Sequence, residues 1–231
     1  MIRENILKVK KLISSACSKT NQEPNLIMVV VVSKGRPIEQ IKEVIEAGIM
    51  DIGENRVQEA LSKYNKLITH NSKLQTIKWH MVGHLQTNKA KEAVRIFDLI
   101  HSVDSLRLAS EIDKQAAKIN KVQDILVEVN TSGEATKFGL QPKEVMGVLK
   151  EAEKFKNISI KGLMTVAPMV DNPEKTRTYF KALRELRDEI NNLQPAACSL
   201  QLLSMGMSDD FEVAIEEGSN MVRLGRAIFE G

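Results

Sequence analysis

Apolar positions along the chain fall into a repeating alternation of two patterns. A short continuous apolar run, rich in Val, Ile and Leu, is followed by a longer stretch in which apolar residues recur every three or four positions. The first pattern is that of a strand buried on both faces, and the second that of an amphipathic helix. Residues 2–20 open with Ile6, Val9, Leu12 and Ile13 at helical spacing, predicting an extra helix that would cap the barrel proposed below. Strands are then predicted at 26–32, 51–53, 77–82, 97–101, 124–129, 158–163, 200–203 and 220–224. Helices are predicted over 37–47 (with Pro37 at its start and Gly48 ending it), from Arg56, from Thr87, over 105–119, from Pro142, over 174–190 and from Asp209. Both tyrosines, Tyr64 and Tyr179, fall on predicted helices away from strand ends.

Eight strands alternating with helices imply a parallel sheet. Eight such units in about 200 residues fit a closed barrel better than an open, doubly wound sheet. No G-x-G-x-x-G follows the first strand, which counts against a dinucleotide-binding fold. The expected architecture is a single α/β domain over 1–231, a (β/α)8 TIM-type barrel with one additional N-terminal helix.

A barrel of this kind carries its chemistry at the C-terminal ends of its strands, so polar residues just after each apolar run become candidates. The first run ends in Val32-Ser33-Lys34. A lysine beside a low-dielectric barrel core can lose its proton and attack a carbonyl. The seventh leads into Ser204-Met205-Gly206-Met207-Ser208, where Ser208 reads as the N-cap of the next helix, and the eighth ends in Leu224-Gly225-Arg226. Loops after strands seven and eight are where barrels hold phosphate, and both carry suitable residue types. Arg223 sits within an otherwise apolar strand and requires a partner. That partner is either a neighbouring carboxylate or the pyridine nitrogen of a cofactor, a group whose electronics an arginine can control. His80 and His84 lie four apart without H-E-x-x-H or a third ligand, so they are read as a pocket-lining and a loop histidine, not a metal pair. Lys137 is read as solvated.

Composition narrows the choice of partner. The 33 basic and 30 acidic residues give a net charge of +3 and alternate along the chain, without the basic block of a nucleic-acid binder. No run approaches a membrane span, and the N-terminus lacks the apolar core of a signal peptide. Cys17 and Cys198 make no C-x-x-C and are read as free thiols of a reducing compartment, which points to the cytoplasm. Low aromatic content, 4%, leans toward a monomer.

Several stretches together carry a more specific likeness. They include Val32-Ser33-Lys34, Gly53-Glu54-Asn55-Arg56-Val57-Gln58-Glu59, Trp79-His80-Met81-Val82-Gly83-His84-Leu85-Gln86, His101-Ser102-Val103-Asp104-Ser105, Val127-Glu128-Val129-Asn130, Gly162-Leu163-Met164-Thr165, Leu203-Ser204-Met205-Gly206-Met207-Ser208 and Val222-Arg223-Leu224-Gly225. In this order, each at or just after a predicted strand, they resemble the pyridoxal phosphate homeostasis protein family, related to the barrel domain of alanine racemases. The resemblance implies a type III pyridoxal-phosphate fold with Lys34 as the Schiff-base lysine. It implies phosphate on Ser204, Met207, Ser208, Gly225 and Arg226, the pyridine nitrogen near Arg223, and Asn55 beside the ring. It also implies a non-catalytic role in vitamin B6 homeostasis: holding pyridoxal 5′-phosphate or delivering it to apo-enzymes. The alternatives are an amino-acid racemase, which would need a second base, and a cofactor-free lysine aldolase. Gly35-Arg36 after the lysine, and His84, depart from the family's usual residues.

Overall fold

A computed structural model describes residues 1–68, 76–193 and 199–231. Cys198 lies outside these, while Cys17 is a buried free thiol. Eight parallel strands close one barrel in sequence order, β1 (Met28–Val32), β2 (Asp51–Glu54), β3 (Lys78–Met81), β4 (Leu99–Val103), β5 (Gln123–Glu128), β6 (Ile158–Met164), β7 (Leu202–Ser204) and β8 (Met221–Leu224), with β8 paired to β1. The helices are α1 (Ile2–Ser18), α2 (Ile38–Glu46), α3 (Val57–Ile68), α4 (Ala90–Ile96), α5 (Leu106–Ala117), α6 (Pro142–Ala152), α7 (Arg177–Leu193), α8 (Phe211–Glu216) and α9 (Arg226–Phe229). The expected (β/α)8 barrel is the fold observed.

Alternation along each strand divides the core. Outward-facing residues such as Ile52, Trp79, Met81, Ile100, Ile125 and Val222 pack under the helices. Inward-facing Val30, Leu99, Leu126, Met164 and Met221 form a small apolar plug inside the barrel. Polar side chains share the interior with this plug: His80, His101, Ser204 and Arg223 are all buried. Among the described residues no helix is long and apolar enough to cross a membrane.

Several expectations are corrected. Helix α1 does not cap an end of the barrel. Its buried stripe, Ile2, Ile6, Val9, Ile13 and Ala16, joins the core beneath the outer helices, and α1 packs beside α2, α8 and α9. The last strand is followed by α9, whose Ile228 carbonyl accepts from Asn5 Nδ2 at 3.1 Å. The first strand starts at Met28 because Pro24–Leu26 forms a 3-10 turn with Leu26 exposed. The fourth strand runs two residues later than predicted. Phe97 is a buried helix end, and a bulge between Ile100 and Val103 extends the strand. The seventh strand is shifted likewise, so Ser204 ends β7 and does not open a loop.

Candidate functional site

The register of β1 brings the first and last strands together at the C-terminal end. Val31 pairs with Leu224, and Val32 with Gly53. Lys34 therefore emerges between the loop that begins at Gly225 and the loop that begins at Asn55. The lysine is exposed and, with Asn55, Gly83, His84 and Lys89, lines a cleft of about 470 Å³.

A buried ionic cluster holds the backbone on either side of Lys34. Lys63 of α3 reaches Ser33 O at 2.6 Å, Glu54 Oε1 at 2.6 Å and Glu59 Oε1 at 2.8 Å. Gly35 N donates to the same Glu59 oxygen at 2.6 Å, and Ser33 Oγ donates to Glu54. All three ammonium donors of Lys63 are thereby used. Burial pushes the Glu54 carboxyl up, and the hydrogen bonds from Lys63 and Ser33 oppose it. Glu54, Glu59 and Lys63 were not among the residues expected at the site. The available signal was the spacing of Glu59 and Lys63, four apart on a helix, next to a glutamate that ends a strand.

Inside the mouth, Arg223 donates from one terminal nitrogen to Ser204 O and Oγ, both at 2.7 Å, and from the other to Thr165 O at 2.8 Å. The expected carboxylate partner is absent from these bonds. Asp210 and Glu128 act on the guanidinium through space, against burial that pushes it down to about 10. Glu128, at the end of β5, keeps one buried carboxyl oxygen without a hydrogen bond. Burial first, and then the nearby Asp104, push its carboxyl up to about 7. Across the mouth, His84 pairs with Asp104 at 3.3 Å and stacks on Phe138 with ring centroids 3.7 Å apart.

The loops after β7 and β8 meet. Ser208 Oγ accepts from Gly225 N at 3.3 Å and Ala227 N at 3.2 Å. This corrects the N-cap expected of Ser208: α8 starts after Asp210, and the serine reaches the start of α9 instead. Asp210 turns back to accept from Met207 N at 2.6 Å, and Asp209 pairs with Arg226. Gly206 allows this turn, with φ at +95° and no room for a β-carbon, which would lie 2.6 Å from Ala214 Cβ.

Of the nine residues predicted for the site, Lys34, Asn55, Met207, Ser208 and Gly225 lie on the loops at the mouth, Arg226 opens α9 beside them, and Arg223 lies beneath. Ser204 and His80 do not reach the mouth. Ser204 is fully buried and bonded to Arg223 and to His101. His80 points into the barrel toward the opposite end, where its Nε2 meets Asp51 Oδ1 at 3.0 Å on the wall of a second cavity. Its inward position on β3 is level with Leu99 of the apolar plug, short of the mouth. Lys137 is half-buried, with Nζ 3.5 Å from Val166 O and 3.6 Å from Glu134, which corrects the solvated side chain expected there. Among the described residues, no group of three or more His, Cys, Asp or Glu is placed to hold a metal.

Comparison with known proteins agrees with the barrel fold. The family model for the alanine racemase N-terminal domain matches residues 2–231. A pyridoxal phosphate homeostasis protein of Aquifex aeolicus (strain VF5) is 44% identical over 226 residues, 98% of this chain and 96% of that one. The solved structure of PipY from Synechococcus elongatus PCC7942 without PLP superposes with a TM-score of 0.88 at 33% identity, covering 99% of this chain and 100% of that one. The same protein with PLP bound gives 0.85 at 31% identity, with the same coverage of each chain. The chain therefore belongs to the alanine racemase N-terminal domain family and, within it, to the pyridoxal phosphate homeostasis proteins.

Proposed function

We propose that this chain binds pyridoxal 5′-phosphate in the barrel mouth, with Lys34 as the Schiff-base lysine, and holds it for vitamin B6 homeostasis without turning over a substrate. The observation that carries this reading is the placement of Lys34 just beyond the C-terminal end of β1 while Arg223, on the neighbouring β8 and level with Val30, lies buried beneath the mouth. One is an accessible amine able to condense with an aldehyde. The other is a buried cation whose three hydrogen bonds all go to neutral oxygens. A guanidinium stays protonated and only donates, so against a pyridine nitrogen it keeps that nitrogen unprotonated and the ring a weak electron sink. That suits storage better than carbanion chemistry.

The mouth fits the rest of the cofactor. The Met207–Ser208 and Gly225–Arg226 loops supply a hydroxyl, backbone N–H groups and a guanidinium for a phosphate, and Asn55 stands at the edge of the cleft. The PLP-bound PipY structure is consistent with such a site. Neither tyrosine favours a racemase: Tyr64 packs edge-on to Trp79 at 6.0 Å, and Tyr179, on α7, packs partly buried against the core. Delivery to apo-enzymes, a monomeric state and a cytoplasmic location complete the proposal.

Adding pyridoxal phosphate to purified protein tests it. Wild type should take it up with a visible absorption band, and Lys34→Ala should show none. A racemase rate in the wild type that Lys34→Ala abolishes would overturn the storage reading.

A further inference from the structure

Five polar side chains, each from a different strand, form one hydrogen-bonded line through the barrel interior. Arg223 on β8 donates to Ser204 Oγ at 2.7 Å, and Ser204 Oγ lies 2.9 Å from His101 Nδ1. His101 Nε2 lies 2.9 Å from His80 Nδ1, and His80 Nε2 lies 3.0 Å from Asp51 Oδ1. The middle members are buried, and Asp51 is a quarter exposed. Asp51 and His80 line a cavity of about 810 Å³ at the N-terminal ends of the strands. The line thus runs from the N-terminal end of the barrel to the cation beneath the mouth.

Chemistry sets its direction. A guanidinium can only donate, so Ser204 Oγ accepts from it and keeps its own proton for His101 Nδ1. Neutral His101 then carries its proton on Nε2 and gives it to His80 Nδ1. His80 in turn carries its proton on Nε2 and gives it to the Asp51 carboxylate, which only accepts. With both histidines neutral the whole line is satisfied in this sense alone, because the opposite sense would set the lone pair of His80 Nε2 against the Asp51 carboxylate. Burial, then the proximity of His80 and Arg223, hold the His101 imidazole well below its ordinary range, in the neutral form that the line requires.

The surrounding charges leave Asp51 to this role. Lys78 on β3 pairs with Asp98 at 3.7 Å, and Lys161 on β6 pairs with Asp124 at 3.4 Å. Glu153 also lines the cavity, and Glu128 and Asp210 act on the Arg223 end. Aliphatic side chains ordinarily fill this layer of a barrel, and burying polar groups is costly even when they are satisfied.

We propose that Asp51, His80 and His101 are positioning residues for Arg223: their directional line fixes the guanidinium beneath the mouth and transmits the charge state of the Asp51 end to it. This rests on the reading above, in which Arg223 faces the ring of pyridoxal phosphate.

Two measurements on the full chain test it. Imidazole ¹⁵N shifts of the wild type at neutral pH should show both His80 and His101 as neutral Nε2–H tautomers. An Nδ1–H tautomer or an imidazolium on either overturns the line. Next, Asp51→Asn keeps the shape and an acceptor but removes the anion. It should move the pH profile of the bound pyridoxal phosphate band and weaken binding about fivefold. Asp124→Asn, in the same cavity but off the line, should change neither. A profile and affinity unmoved by both Asp51→Asn and His80→Gln would overturn this inference alone. No uptake by the wild type would instead overturn the reading on which it rests.

Discussion

Single residues set the shape of the mouth, and the tightest constraint is at Gly83. A β-carbon there would stand 2.4 Å from Asn55 O and 2.8 Å from its Cα. The neighbour is backbone and cannot rotate away. Gly83→Ala should therefore shift Asn55, cost about 1–3 kcal/mol in thermal or denaturant unfolding and weaken uptake of pyridoxal phosphate. Lys34→Ala should behave oppositely. Its side chain is exposed, so stability should stay within about 0.5 kcal/mol of wild type while the visible band is lost. Glu128 gives a pH dependence. Its folded-state value is raised to about 7, so the folded protein holds a proton there that the unfolded chain has already released. Its contribution is fully present below the ordinary glutamate range and is lost as pH rises through 7. Glu128→Gln should accordingly gain stability relative to wild type as pH goes from 5 to 8. A difference in melting temperature that is flat across that range would contradict the assignment. At this scale the sequence was readable where a residue's place in the chain decides its place in space. Lys34, Asn55 and Gly225 follow strand ends and reach the mouth for that reason. It was not readable where the direction of a side chain decides: His80 turns to the far end of the barrel, and Ser208 reaches α9 instead of capping α8.

At the scale of elements, the loop carrying Lys34 is only as fixed as the helix behind it. Lys63 of α3 bonds the loop directly through Ser33 O, and Glu59 of α3 bonds Gly35 N. Removing the cation would leave a fully buried carboxylate, Glu54, and a partly buried one, Glu59, without it. Lys63→Met should thus destabilise the fold by about 3–5 kcal/mol and loosen the 33–35 backbone, detectable as faster amide exchange at Gly35 than in wild type. Unchanged exchange would mean that β1 alone orders the loop. Periodicity located these helices to within a few residues because their apolar stripes are regular. It misplaced β4 and β7 because Phe97 and Leu200 are buried whether they lie in a strand or just before one. A bulge like that in β4 has no hydrophobic signature.

The whole molecule divides labour between its two ends and its wall. The wall is ordinary: apolar outward faces of strands covered by helices, with α1 closing the gap beside α8 and α9. Truncating Ile6 in that stripe to Ala should cost about 2–5 kcal/mol and leave the mouth chemistry intact. The alternation of runs and helices was enough to read the closed barrel. The placement of α1 on its side was not, because amphipathicity says that a face is covered, not by what. The interior is unusual in exchanging aliphatic filling for a polar line that ends at Arg223, and the mouth gathers an amine, that cation and phosphate-binding loops. The most direct test of this account is to incubate the protein with pyridoxal phosphate, reduce with borohydride and map the modified peptide by mass. A single pyridoxyl group on Lys34 is the expected result. A protein that remains unmodified, or one modified only at other lysines, would contradict it.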